Sequence, residues 1–189
     1  RKLHSFLDPR RYLYTAIRKY TYDIACGIVV IDDLVETVVK EEGFNGKIFK
    51  YMTMGVGADF FEIGKKRLKE SIHPKNILFL GRLMPAKGVN YLIEAFKHID
   101  YVDSTLTIVG SGPCSEDLYE QGRSSSKIKF QDFIAYEQVP DFLSRYDIIV
   151  LPSIIEGKAL EQFGRVLVEG QAAGLVPIGS NIGGIPNAV

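Results

Sequence analysis

Glu161 and Glu169, with seven residues between them in the stretch EQFGRVLVE, bracket a Phe-Gly-Arg that reads as the opening of a buried helix just after a strand. At about 1.5 Å of rise per residue, Glu161 is expected in the loop at the helix mouth and Glu169 roughly 12 Å further along the axis. Acids that far apart cannot share one proton or one metal ion. They can grip two ends of an elongated polar ligand whose negative charge meets the free N–H groups of the helix N-terminus. Surface helices often carry two acids without a role. Glu169, however, lies among Val166, Leu167, Val168 and Ala172, where a carboxylate is costly unless a hydroxyl or a cation meets it.

Three glycine-rich segments accompany the pair. In GRLMPAKG, Gly81 to Gly88, Arg82 and Lys87 flank a turn between a strand and a helix, an arrangement suited to a diphosphate; two surface cations in an ordinary loop remain the alternative. GSGP, Gly110 to Pro113, ends the next strand and lets backbone approach a phosphate or sugar, or simply makes a tight turn, since Ser115 stands where a dinucleotide fingerprint has its third Gly. GSNIGGIP, Gly179 to Pro186, is a further loop at a strand end. No GxSxG elbow and no Asp-x-Asp occurs, and His4, His73 and His98 have no partner at a telling spacing, so phosphate charge must be met by Arg, Lys and helix dipoles, without a metal.

The elements that must position these groups are legible from residue 76 onward. NILFLG, TLTIVG, KIKFQ, DIIVLP and LVPIG are β-branched runs separated by amphipathic stretches, the pattern of repeated βαβ units and a parallel sheet. Val89, Leu92, Ile93, Phe96 and Ile99 recur at helical steps; Leu118 marks a second helix; Val139, Phe142 and Leu143 mark a third with Pro140 in its first turn; Phe163, Val166, Leu167 and 171–173 trace a fourth. This predicts a Rossmann-like, doubly wound α/β sandwich with its ligand at the strand carboxyl ends. Residues 1–60 repeat the pattern on a smaller scale, with a helix near 10–22, strand CGIVVI, a helix capped by Asp32 or Asp33 and closed by Gly43, and strand KIFKYM, as the tail of a preceding α/β domain. The segment from Thr53 to Lys75 reads as turn-rich, with 61–75 as an interdomain linker.

Composition bounds the alternatives. The 189 residues are 46% hydrophobic with 23 basic and 23 acidic side chains, enough for a packed core and with no balance that calls for nucleic acid. No apolar run approaches the roughly 20 residues of a membrane span. The basic cluster in the first twenty residues reads as a solvated helix face, with a membrane-surface patch as the alternative. Cys26 and Cys114 lack metal or redox spacing and fit reduced thiols in a cytoplasmic protein, with peripheral membrane contact left open. The chain reads as beginning in mid-sequence and ending in a loop, GGIPNAV, that enters a further element.

The four loops, in this order, resemble the nucleotide-sugar half of a retaining glycosyltransferase of the GT-B fold, family 4, over residues 76–189, with EQFGR followed by Glu169 fitting the ExFGxxxxE pattern. Residues 28–61 resemble the end of that family's acceptor-side domain, with Gly57 where an Asp is usual. The resemblance implies that Arg82 and Lys87 bind the donor diphosphate and stabilise it as it leaves, and that Glu161 orients the transferred sugar. It also implies that Phe163 and Gly164 offer backbone N–H groups, that Glu169 holds the ribose hydroxyls, and that Gly81, Gly110, Gly112 and Leu167 belong to the donor site. Ile134 sits where backbone meets the base, and Gly183 and Gly184 approach the sugar. The implied donor is a UDP- or GDP-linked hexose with no further cofactor and no metal; the acceptor is a carbohydrate or glycolipid, and the oligomeric state is open. Departures are Asn187 in place of an acid and Gly170 in place of Ala. A non-catalytic nucleotide-sugar-binding module, a phosphorylase and an epimerase are the alternatives.

Overall fold

A computed structural model describes residues 9–51, 55–67, 75–99, 103–157 and 160–189. His4, His73, Thr53 and linker positions 68–74 lie outside the described residues. The chain divides into two compact units, 1–55 and 56–189.

In the first unit, α1 (Pro9–Ile24) precedes β1 (Gly27–Val30), α2 (Asp33–Glu41) and β2 (Lys47–Lys50), and the two strands pair in parallel. Asp32 is the residue that caps α2: its carboxylate accepts the Val35 N–H at 2.7 Å, satisfying one of the four donors a helix leaves open at its start. Val30, Val39 and Phe44 form the small core, with Tyr22 packed edge-on to Phe44 at 5.3 Å.

The second unit is the α/β sandwich expected from the alternating pattern. β3 (Asn76–Leu80), β4 (Thr105–Val109), β5 (Ile128–Gln131), β6 (Ile148–Leu151) and β7 (Val176–Gly179) form one parallel sheet in the order β5-β4-β3-β6-β7. The order reverses at β3, which pairs with β4 on one side and β6 on the other, so a crevice opens at the carboxyl ends there. The connecting helices are α4 (Val89–Lys97), α5 (Ser115–Gly122), α6 (Val139–Leu143) and α7 (Arg165–Ala172). α4 buries Val89, Ile93 and Phe96, each contributing about 1.5–3 kcal/mol of transfer energy. Ile99 does not share that face: the helix ends at Lys97 with His98 as its C-cap, and Ile99 is 44% exposed. Leu78, Phe79, Leu106, Ile108 and Ile149 fill the centre of the core without solvent exposure.

Residues 58–67, in the segment expected to be turn-rich, form a ten-residue helix, α3 (Ala58–Arg67). Its charges suit the helix dipole, with Asp59 in the first turn and Lys65, Lys66 and Arg67 in the last. Its Gly64 is a contact residue. A Cβ on Gly64 would lie 2.3 Å from the Ala172 carbonyl oxygen, so Gly64 lets α3 close onto α7. α3 also delivers Phe60, 2% exposed, to the core.

The amino ends of the strands are tied by one carboxylate. Asp147, just before β6, accepts the Lys75 N–H at 2.9 Å and the Asn76 N–H at 2.8 Å and pairs with the Arg67 guanidinium. Arg67 also donates to the Ser144 carbonyl at 3.2 Å, and its Nε is buried with no protein partner among the described residues. Among the described residues no helix is long and apolar enough to cross a membrane.

Candidate functional site

The loops at the carboxyl ends of the sheet are locked to one another by backbone. Leu83 N–H donates to Ser111 O at 2.9 Å and Cys114 N–H returns to Leu83 O at 3.1 Å, joining the segments after β3 and β4. Ile154 N–H donates to Ala86 O at 2.9 Å, and Gly184 N–H to Glu161 O at 3.0 Å, joining the segments after β3, β6 and β7. Gly110, at φ +139°, has a position that demands glycine twice over: a Cβ there would also lie 1.9 Å from the Gly81 carbonyl oxygen. The close approach that the GSGP turn allows is therefore first of all an approach of one loop to another.

Between these loops lies a cleft of about 250 Å³. It brings together Gly81, Arg82, Gly110, Ile134 and Glu169, five of the residues singled out from the sequence, drawn from the ends of β3, β4 and β5 and from α7. Its other walls are mostly apolar, with Phe133 and Val166 among them. Two further hollows, about 330 Å³ beside Asn76 and Lys129 and about 340 Å³ beside Tyr91 and Asp117, contain none of those residues.

Glu169 is 5% exposed, as its apolar neighbours in sequence suggested, and the hydroxyl and cation it needs are both present. Tyr136 donates its hydroxyl proton to Oε1 at 3.2 Å and Arg165 Nε approaches the same oxygen at 2.8 Å. Burial pushes the Glu169 carboxyl above its ordinary pKa, against the opposing pull of the Arg165 charge and the two hydrogen bonds. A raised carboxyl pKa means that the folded state favours the protonated form. The associated stability is present below the unfolded carboxyl range and lost as pH rises through the folded pKa, so ionised Glu169 is a net cost at neutral pH. Glu169→Gln is accordingly expected to raise the melting temperature of the ligand-free protein at pH 7, with the gain shrinking as the pH falls through the carboxyl range. A lower melting temperature at pH 7 would mean that the Arg165 and Tyr136 contacts outweigh the burial.

Lys87 and Glu161 form a second cluster. Their side chains, 26% and 15% exposed, make an ion pair, and Ser153 donates its hydroxyl to the same Glu161 oxygen at 3.4 Å. Lys87 closes a short 3₁₀ turn (Pro85–Lys87) ahead of α4, and Glu161 sits in the loop before α7, as its distance from the helix implied. Arg82, by contrast, is exposed and has no ion-pair partner among the described residues. Phe163 and Gly164 are buried directly ahead of α7, and their N–H groups donate to no backbone carbonyl among the described residues. Leu167 has no solvent exposure and its N–H donates to Gly164 O at 2.9 Å. Gly112 abuts Leu83, where a Cβ would meet the carbonyl oxygen at 2.2 Å. Gly183 and Gly184 lie against the backbone of Glu161 and Gln162.

Tyr136, Arg165 and Ser153 were not singled out from the sequence. The buried acid signalled that a partner must exist, but Tyr136 stands 33 residues from Glu169, and no local spacing names it.

The chain is similar to known proteins. The chain is 36% identical over 115 residues to an uncharacterised glycosyltransferase of Methanocaldococcus jannaschii, covering 59% of this chain and 28% of that protein. It is 35% identical over 121 residues to a glycogen synthase of Mycobacterium tuberculosis, covering 61% and 28%. The chain thus spans less than a third of the length of these two relatives. The crystal structure of Anabaena HepE in complex with UDP superposes with a TM-score of 0.69 at 22% identity, covering 97% of this chain and 53% of that one, a likeness of fold. Residues 61–189, about two thirds of the sequence and the part that contains every residue of the cleft, match the family of glycosyl transferases group 1, and the chain belongs to that family.

Proposed function

We propose that residues 76–189 are the donor-binding part of a retaining, metal-independent glycosyltransferase of family 4, moving a hexose from a UDP- or GDP-linked donor to a carbohydrate or glycolipid acceptor. Residues 1–55 are then the end of an acceptor-side domain, and α3, which covers most of the described part of the expected linker 61–75, belongs to the second unit. The protein is a cytoplasmic enzyme with room for peripheral membrane contact, and this chain alone binds donor without turning it over.

The observation that carries this reading is the buried Glu169 in a largely apolar cleft that also presents the exposed cation Arg82. Apolar walls at Phe133 and Val166 suit a heterocyclic base, a buried carboxylate suits a vicinal diol, and an exposed guanidinium suits a phosphate. Glycosyl transfer separates an oxocarbenium-like sugar from an increasingly anionic diphosphate, so fixed cations and free N–H groups at the leaving group lower the barrier. Arg82, Lys87 and the N–H groups of Phe163 and Gly164 are assigned that work. Glu161, next to Lys87, is assigned the sugar hydroxyls.

The test is calorimetric titration of the chain with UDP, GDP and ADP, repeated with Glu169→Ala. One of the three is expected to bind, with the substitution weakening it by about 1–3 kcal/mol as for a lost hydrogen bond to a charged group. A folded chain that binds none of them would remove the donor-site reading. Binding indifferent to Glu169 would move the ribose contact elsewhere.

A further inference from the structure

Arg165 stands where helix energetics do not want it. It opens α7, where the helix dipole disfavours a cation, and it precedes its partner Glu169 by four residues, the weaker order for such a pair. The Arg165 side chain is 50% exposed, so as an ordinary surface ion pair it would count for little. What it contacts accounts for its position. Nε reaches Glu169 Oε1 at 2.8 Å, Nη2 donates to the Tyr136 hydroxyl, and the guanidinium carbon lies 5.0 Å from the centroid of the Tyr136 ring. Tyr136 donates in turn to that same Oε1 at 3.2 Å and packs against the Phe60 ring at 6.1 Å. The three side chains close a ring of contacts on a single carboxylate oxygen. Glu169 Oε2 accepts no hydrogen bond among the described residues, and Glu169 lines the cleft.

We propose that Arg165 and Tyr136 are positioning residues for Glu169, clamping Oε1 so that Oε2 is held, ionised, as the acceptor available to a ligand in the cleft. Arg165 then governs ligand affinity without touching the ligand. The inference rests on the donor-site reading for the identity of that ligand, a nucleoside diphosphate, but the clamp itself is a property of the free protein. Among the described residues, the charged and titratable groups facing Glu169 are Arg165 from α7, Tyr136 from the turn ahead of α6, and Arg82 from the loop after β3 across the cleft. Removing Arg165 leaves a buried carboxylate with one hydroxyl and no adjacent cation, and burial then favours the neutral acid, which presents a proton where an acceptor is needed.

Two readouts on the same 189-residue chain test this. The first is carbon-13 NMR titration of the Glu169 carboxyl without ligand, assigned by its loss in Glu169→Gln. Arg165→Met is expected to move the midpoint up, Arg165→Lys to leave it near wild type, and Tyr136→Phe to move it up by less. The second is calorimetry with whichever of UDP, GDP or ADP the wild type binds. Arg165→Met is expected to weaken binding about tenfold near neutral pH, the scale of one charge-assisted hydrogen bond, with the deficit widening as the pH falls and Arg165→Lys recovering most of it. An Arg165→Met carboxyl that titrates with the wild type, or a nucleotide affinity equal to wild type across the pH range, overturns the proposal. If the wild type binds no nucleotide, the donor-site reading fails while the NMR titration still decides the clamp. Should Arg165→Met not fold, Tyr136→Phe and Arg165→Lys provide the same comparison.

Discussion

On the proposed donor-site reading, Lys87→Ala in the active glycosyltransferase is expected to lower turnover by about 10²- to 10³-fold, the effect of removing one preorganised group that stabilises charge developing in a transition state. At about 1.4 kcal/mol per factor of ten, this is about 3–4 kcal/mol of barrier. The ion pair with Glu161 sharpens the expectation. For Lys87 to meet a departing diphosphate it must exchange one anion for another, and Glu161, released, becomes free to take sugar hydroxyls. On that reading the substitution removes a phosphate contact and also leaves Glu161, among the described residues, with just the Ser153 hydroxyl at 3.4 Å. Lys87→Arg, which preserves the charge, should retain part of the rate. Steady-state kinetics on both variants, with circular dichroism to confirm folding, checks this. A rate within threefold of wild type for a folded Lys87→Ala would take Lys87 out of the reaction.

The largest expected effect on stability lies at the opposite end of the sheet. Asp147→Ala should destabilise the second unit by about 3–5 kcal/mol, the range for breaking a buried ion pair by removing one partner. The carboxylate and the Arg67 guanidinium are 14% and 11% exposed, and Asp147 also satisfies the N–H groups of Lys75 and Asn76. Its loss strands a guanidinium whose Nε already lacks a protein partner and leaves two backbone donors open. Combining Arg67→Met with Asp147→Asn removes both charges, keeps an acceptor for the backbone, and should recover much of the loss. Denaturant unfolding of the three proteins measures this. A loss below about 1 kcal/mol, the level of an exposed pair, would mean that water solvates the pair. Because Asp147 sits at the amino ends of the strands and the cleft at the carboxyl ends, nucleotide affinity below the melting transition should not change.

Much of the fold could be read in advance because its signals are local. Each of the five strands of the larger sheet coincides with an apolar, β-branched run, and α4, α6 and α7 follow from side chains three and four residues apart, with Leu118 marking α5. α3 escaped because Gly55, Gly57 and the Lys-rich stretch up to residue 74 read as turn-rich, whereas Gly64 admits the Ala172 carbonyl oxygen. Gly110 read either as an approach to a phosphate or sugar or as a tight turn, and its tightest constraint is the Gly81 backbone. In both cases a glycine recorded a close approach correctly, and only the neighbouring element said what approached.

By itself, the sequence determined the α/β alternation, the placing of Arg82, Lys87 and Glu161 at strand ends and helix starts and of Glu169 inside the helix that follows, and the requirement that Glu169 have a polar partner. These depend on period, spacing and the cost of burying charge, which act along the chain. The tertiary structure alone decided the partners: that Lys87 closes on Glu161, that Arg82 is left open to the cleft, and that Tyr136 and Arg165 converge on one oxygen of Glu169. Ion pairs and hydrogen bonds depend on distances of a few ångströms between residues tens of positions apart. Those distances exist only once the parallel sheet has brought the ends of β3, β5 and β6 to one edge.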